Sequence, residues 1–253
     1  MTKDIILQAE GVHRRFWRVR AVRPMTLRLH RGEILAVVGP NGAGKTTLLN
    51  MLAGALYPGG GDIRVFGLHR WRDNHAIRLR SFFLPVCFPV GGAPNPYAYL
   101  RFVAQVYGLP KAEFHARLEE LCARMDYLPH LGRPWEVLSL GLARKAGLIA
   151  AFLPRVELRI LDEPFANGID PAGMEVLYSW IAAASERDGA ATVFSTQVLD
   201  QAEDNAHRVL LLHKGEMRMC DTPDAIMAAA GVGPDEPRAF ARAFMKLTGT
   251  PEP

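Results

Sequence analysis

The chain has 253 residues, of which 49% are apolar and 22% charged, and carries a net charge of +4. That length buries a full core, and the balance excludes a disordered or fibrous chain. No apolar run approaches the ~20 residues that cross a bilayer as a helix, which excludes a channel or permease built from such helices.

Cys87, Cys122 and Cys220 are odd in number, far apart and without metal-ligand spacing. They read as buried small residues of a reducing compartment. Met1 to Glu10 carries Lys3, Asp4 and Glu10 and no apolar signal core. The expectation is a cytoplasmic protein that reaches a membrane only through a partner.

In chain order, Asp4–Glu10 and Met25–His30 read as strands, the second with period-two alternation of Met25, Leu27 and Leu29. Between them lies a basic loop with Arg14, Arg15, Arg18 and Arg20 around Phe16-Trp17. A solvated basic edge explains the arginines better than a nucleic-acid groove. Phe16 could stack on a base or close the edge of the β layer, and the pattern leaves both open.

Ile34–Val38 is an apolar, β-branched run that reads as a buried strand. Gly39-Pro-Asn-Gly-Ala-Gly-Lys-Thr-Thr47 follows, then a helical stretch to Gly54. Strand, glycine-rich turn and helix form a phosphate-binding loop. Backbone N–H groups of Gly42, Ala43, Gly44, Lys45, Thr46 and Thr47 converge on one anion at the positive end of the helix dipole. Lys45 reaches the β- and γ-phosphates, and the Thr46 hydroxyl ligates Mg²⁺.

Gly59–Gly61 is a turn, and Asp62–Phe66 a third strand of the first layer. Phe82–Leu84 is a short strand. Pro85 to Pro96 then holds four prolines, which excludes helix and interior strand. An apolar loop of this kind is either a docking surface or folded back on its own lobe. Tyr97–Tyr107, Lys111–Asp126 and Leu138–Leu153 read as three successive helices, an inserted helical lobe.

Val156–Leu161 returns as a core strand ending in Asp162 and Glu163. Pro171–Glu186 is a helix, Ala191–Ser195 a strand, Val198–Asp204 a short helix and Arg208–Leu212 a strand. Glu216–Cys220 pairs back after the Lys214-Gly215 turn. Alternating strands and helices predict an α/β fold with a mostly parallel sheet covered on both faces. Carboxylates at the carboxyl end of such a strand lie where ligands bind. Asp162 would hold Mg²⁺ and Glu163 would polarise the water that attacks the γ-phosphate.

With these motifs in place, nearly the whole chain resembles the ATP-binding-cassette transporter ATPases of exporter type. Gly39–Thr46 matches Walker A, and Arg159–Glu163 matches the end of Walker B with the catalytic glutamate. Leu138-Ser-Leu-Gly-Leu142 stands where the family carries Leu-Ser-Gly-Gly-Gln; Ser139 and Gly141 match, Leu140 and Leu142 depart. Asn167–Pro171 matches the D-loop. Ala243–Gly249 is similar to the ending of exporter-type cassettes.

The resemblance implies a P-loop NTPase core at 1–84 and 155–230 with an antiparallel β layer. It further implies a helical signature subdomain at 85–154 and a helical tail at 231–253. It implies ATP and Mg²⁺ as cofactors, with Asn41 and the rest of the loop around the nucleotide. Ser139 and Gly141 would face ATP bound on a partner subunit, and Asp170 would cross the dimer interface. Phe16 would stack on adenine. Transmembrane permease subunits would dock at the Val86–Pro96 loop, placing the chain on the inner face of the membrane. The dimer is with itself or with a paralogue, and no nucleic-acid partner is expected. A translation-factor or DNA-repair cassette would need a tandem cassette or a long coiled coil, which this chain lacks.

Two departures bear on activity. The family's glutamine after the short strand and its proline is Val86, and its histidine after Ser195-Thr196 is Gln197. Valine neither ligates Mg²⁺ nor orients water, and glutamine donates a neutral hydrogen bond only. The expectation is an energy-coupling subunit that binds ATP and hydrolyses it slowly. The alternative is an ATP-gated regulatory or assembly subunit with little hydrolysis.

Overall fold

The computed structural model describes residues 4–87, 92–166 and 168–249. Two long strands, β1 (Ile5–Phe16) and β2 (Val19–His30), form a hairpin closed by Trp17-Arg18. Both run well beyond the sequence expectation, so the anticipated basic loop is itself paired strand. Register shifts near Val12 and Arg14 break the alternation that would have shown it.

The buried strand β3 (Ile34–Val38) leads through the glycine-rich loop into α1 (Lys45–Ala53). β4 (Gly60–Val65) and β5 (Leu68–His69) complete a four-stranded antiparallel sheet of order β2-β1-β4-β5. After α2 (Asn74–Leu79), β6 (Ser81–Leu84) enters a second sheet. Three helices follow: α3 (Pro96–Val106), α4 (Lys111–Arg124) and α5 (Leu140–Phe152). β7 (Leu158–Leu161), α6 (Pro171–Asp188), β8 (Ala191–Thr196), α7 (Leu199–Asn205) and β9 (Arg208–His213) then alternate. β10 (Glu216–Asp221), α8 (Pro223–Ala229) and α9 (Ala239–Thr248) close the described chain.

The second sheet has the order β10-β9-β3-β8-β7-β6, with every pair parallel except β9–β10. Its two faces feed two cores. Leu35 and Val37 of β3 point with Val193 and Leu210 towards α1 and the antiparallel sheet. Ile34, Ala36 and Val38 point the other way, into a core shared with α3 to α7 and α9. The buried side chains of α3, α4 and α5 run without a break into those on this face.

A nine-residue helix such as α1 is marginal alone. Here Leu48, Leu49, Met51 and Leu52 are fully buried between the sheets. Each contributes about 1.5–3 kcal/mol. That packing fixes where the helix begins, and so where the phosphate cradle opens. Among the described residues no helix is long and apolar enough to cross a membrane.

The three cysteines are free, but only Cys122 is buried. Cys87 is exposed because it sits on the loop leaving β6, a correction to the sequence reading.

Candidate functional site

The cradle forms as its sequence dictates. Gly44 has φ 105°, a left-handed conformation open to glycine, and a Cβ there would collide with the Ala21 carbonyl of β2. α1 starts at Lys45 with no side-chain cap and no acidic residue in its first turn. Its first N–H groups are therefore left for a ligand, at the positive end of the helix dipole.

A cleft of about 620 Å³ opens at this point. Asn41 to Thr47 form its floor, and Val86, Glu163 and Gln197 its far wall. Arg20 and Lys214 add positive charge at its edge. The structure thus brings together the Walker A residues, Glu163, Gln197 and the position of the missing glutamine.

Lys45 is buried, with Nζ donating to the Gly39 carbonyl at 2.8 Å and lying 3.1 Å from Glu163 Oε1. Glu163 adopts φ 47°, uncommon for a residue with a Cβ and a mark of local strain. Ser195 holds this turn: its hydroxyl donates to Asp162 Oδ1 at 2.6 Å and accepts from the Glu163 N–H at 2.8 Å. Asp162 is fully buried, and its Oδ2 has no hydrogen-bond partner among the described residues. A buried carboxylate oxygen left open beside a phosphate cradle fits a hard cation.

Arg144 of α5 joins three parts of the site. It is buried and donates to the carbonyls of Pro85 at 2.7 Å, Val86 at 3.2 Å and Asp162 at 2.5 Å. Burial pulls its pKa down to about 10, so it stays charged at neutral pH. Thr196 donates to Gln201 Oε1 at 2.8 Å and accepts from the Val198 N–H, which pins the turn carrying Gln197.

The remaining expected residues lie elsewhere. Phe16 is the last residue of β1, with Arg14 over its ring at 4.8 Å, and it does not line the cleft; Val19, Arg20 and Ala21 of β2 do. Ser139 caps α5, its hydroxyl accepting from the Leu142 N–H at 3.2 Å. The helix thus starts at Leu140 rather than Leu138. Ser139 and Gly141 stand outside this chain's own cleft. Asp170 caps α6 through the Gly173 N–H at 2.8 Å and pairs with Lys145 at 2.5 Å. Both contacts lie within its own chain. Asn167 of the expected D-loop, and residues 88–91 of the expected docking loop, lie outside the described residues.

Sequence reasoning missed Arg144, Ser195, Arg20 and Lys214. Arg20 carried a local signal as a member of the basic group around Phe16-Trp17, Ser195 as the end of its strand, and Lys214 as the turn residue before Gly215; Arg144 carried none.

Comparison with known proteins agrees with this geometry. The family described as ABC transporter matches residues 22–166. The uncharacterized ABC transporter ATP-binding protein YdbJ of Bacillus subtilis is 31% identical over 84% of this chain and 68% of its own length. The daunorubicin resistance ATP-binding protein DrrA3 of Streptomyces coeruleorubidus is 31% identical over 90% of this chain and 72% of its own. A solved ATP-binding subunit of an ABC transporter superposes with a TM-score of 0.88 at 26% identity, covering 96% of this chain and 99% of that one. With the family match and relatives covered over most of their length, this chain belongs to the ABC transporter family as one of its ATP-binding subunits.

Proposed function

We propose that the chain is the energy-coupling subunit of a membrane exporter that binds ATP·Mg²⁺ firmly and hydrolyses it slowly. The observation that carries this reading is that Val86 and Gln197 both line the nucleotide cleft. The missing carboxamide and imidazole are therefore missing at the site itself.

In this reading Lys45 and the N–H groups at the start of α1 hold the phosphates. Thr46 and Asp162 would hold Mg²⁺, which when bound neutralises phosphate charge. Glu163 turns from Lys45 to the attacking water and accepts its proton. Gln197 offers the γ-phosphate a neutral N–H, about half as strong as a charge-assisted donor. Loss of one preorganised donor slows such a step by about 10²–10³-fold.

Dimerisation would bring Ser139, Gly141 and Asp170 to the partner's nucleotide. Its support is an exposed apolar rim beside Ser139: Leu140 is 79% exposed and Val137 65%. The Val86–Pro96 loop would receive the transmembrane subunits, with Arg144 tying its first carbonyls to α5. Phe16 would serve adenine only after moving from its place outside the cleft.

The same substitutions favour a second reading, a regulatory or assembly subunit driven by ATP binding alone. ATPase turnover of the chain, measured with its transmembrane partner, separates the two. Slow turnover abolished by Glu163→Gln supports the first. Transport unaffected by Glu163→Gln supports the second. Turnover as fast as an ordinary transporter's contradicts both.

A further inference from the structure

The charged residues lining the nucleotide cleft fall into two groups. Lys45 and Glu163 pair with each other at 3.1 Å. Arg20 and Lys214 are exposed, and neither side chain has a hydrogen bond or ion pair among the described residues. Glu216, two residues beyond Lys214, is engaged with Arg23 at 3.5 Å and Arg218 at 3.1 Å.

Both cations stand where local structure disfavours them. Lys214 and Gly215 form the two-residue turn between β9 and β10, with φ 50° and 76°. Such a turn favours Asn, Asp or Gly at its first position, and a lysine held at positive φ is a cost. Arg20 of β2 is the register partner of Arg15 of β1, and like charges set opposite each other on a strand pair repel. Arg15 turns to the Trp17 carbonyl at 2.7 Å, an outlet that Arg20 lacks. The turn is also fastened to the phosphate loop. The Gly215 N–H donates to the Ala43 carbonyl at 2.9 Å, and the Arg23 N–H to the Gly215 carbonyl at 2.7 Å. A Cβ at Gly215 would lie 2.7 Å from the Arg20 carbonyl oxygen and 2.8 Å from that of Ala21. Backbone contact thus brings the two cations to one edge of the cleft.

Sheet order sets which part of a nucleotide they would meet. β9 flanks β3 on one side, while β8 and β7, which lead into Gln197 and Glu163, lie on the other. The γ-phosphate belongs to the Glu163 side. We propose that Arg20 and Lys214 are nucleotide-binding residues that grip the α- and β-phosphates, and so hold ADP as firmly as ATP. The phosphate oxygens would supply the anion both side chains lack, in charge-assisted hydrogen bonds. This inference rests on the ATP-binding function proposed above and adds product retention to it: ADP leaves slowly because the grip does not depend on the γ-phosphate.

The test is calorimetric titration of the whole chain, in Mg²⁺, with ADP and with adenylyl imidodiphosphate, a non-hydrolysable ATP analogue. Thermal unfolding of the empty protein and stopped-flow release of a fluorescent ADP accompany it. Arg20→Gln and Lys214→Asn should each weaken both nucleotides by the same factor, about three- to tenfold, and speed ADP release to match. Arg20→Lys should recover part of the affinity. Lys214→Asn separates charge from structure: asparagine suits the turn, so the empty protein should unfold at the same or a higher temperature while binding falls. Unchanged affinities in both variants, or a loss confined to the ATP analogue, would overturn this grip and leave the proposed function standing. An unaltered chain that binds neither nucleotide would overturn both.

Discussion

Lys45 Nζ and Glu163 Oε1 lie 3.1 Å apart, both largely withdrawn from solvent, so the two side chains that the proposed function sets on phosphate and on water hold each other. In the proposed function nucleotide separates them: Lys45 would pass to the phosphates, and Glu163 would be released to the water. Glu163→Gln removes the base and weakens Lys45's tie to the resting site. Hydrolysis should fall by about 10²–10⁴-fold, while ATP affinity stays equal or rises. Equilibrium binding of a fluorescent ATP analogue beside a phosphate-release assay checks this; a fall in affinity would contradict the exchange.

Gly44 is held at positive φ with the Ala21 carbonyl against it. Gly44→Ala should destabilise the fold by about 1–3 kcal/mol and abolish nucleotide binding, because the cradle cannot close over a Cβ. Urea unfolding with and without ATP reads both effects. A variant that ATP stabilises as it does the unaltered chain would show that the loop tolerates a different path.

Arg144 gives its hydrogen bonds to three carbonyls on two loops. Arg144→Met keeps the apolar stem and removes every donor. The expected loss is about 2–4 kcal/mol, the scale of a few buried carbonyls left unpaired. Turnover should fall with it, since Val86 and Asp162 lose their common anchor. Arg144→Lys should recover part of the stability. Chemical unfolding of the three proteins checks the order.

Glu157 accepts from Arg80 at 2.6 Å and from Arg31 at 2.9 Å, and these bonds hold its carboxyl below the usual range. A depressed carboxylate stabilises the fold above its unfolded pKa, and that contribution is lost as pH falls through the folded value. Glu157→Gln should therefore lower the thermal midpoint at pH 7, and the difference should vanish in acid below the folded pKa. Glu157 is 33% exposed and both arginines 42%, so the effect at pH 7 is modest and shrinks with salt.

Much of this was legible in the sequence, for reasons visible in particular residues. β3 is a run of five buried apolar residues, and the loop after it has glycines where backbones meet, so both patterns are local. Asp162 and Glu163 were legible because a strand's end is where a parallel sheet displays its chemistry. Arg144 and Ser195 were not, because each acts on a segment 18 or more residues away and no periodicity records that. The β1–β2 hairpin was misread because bulges near Val12 disturb its alternation and arginines occupy its outer face. Phe16 was placed by spacing, and spacing does not say which way a strand's end faces.

Single-turnover hydrolysis of ATP at excess protein, with and without Gln197→His, tests most directly the claim that the cleft binds nucleotide well and spends it slowly. The account predicts full ATP occupancy in both proteins and slow conversion in the unaltered chain. Gln197→His should speed that conversion by about 10–10²-fold, as a charge-assisted donor replaces a neutral one. Rapid conversion in the unaltered chain, blocked by Glu163→Gln and unchanged or slowed by Gln197→His, would contradict it.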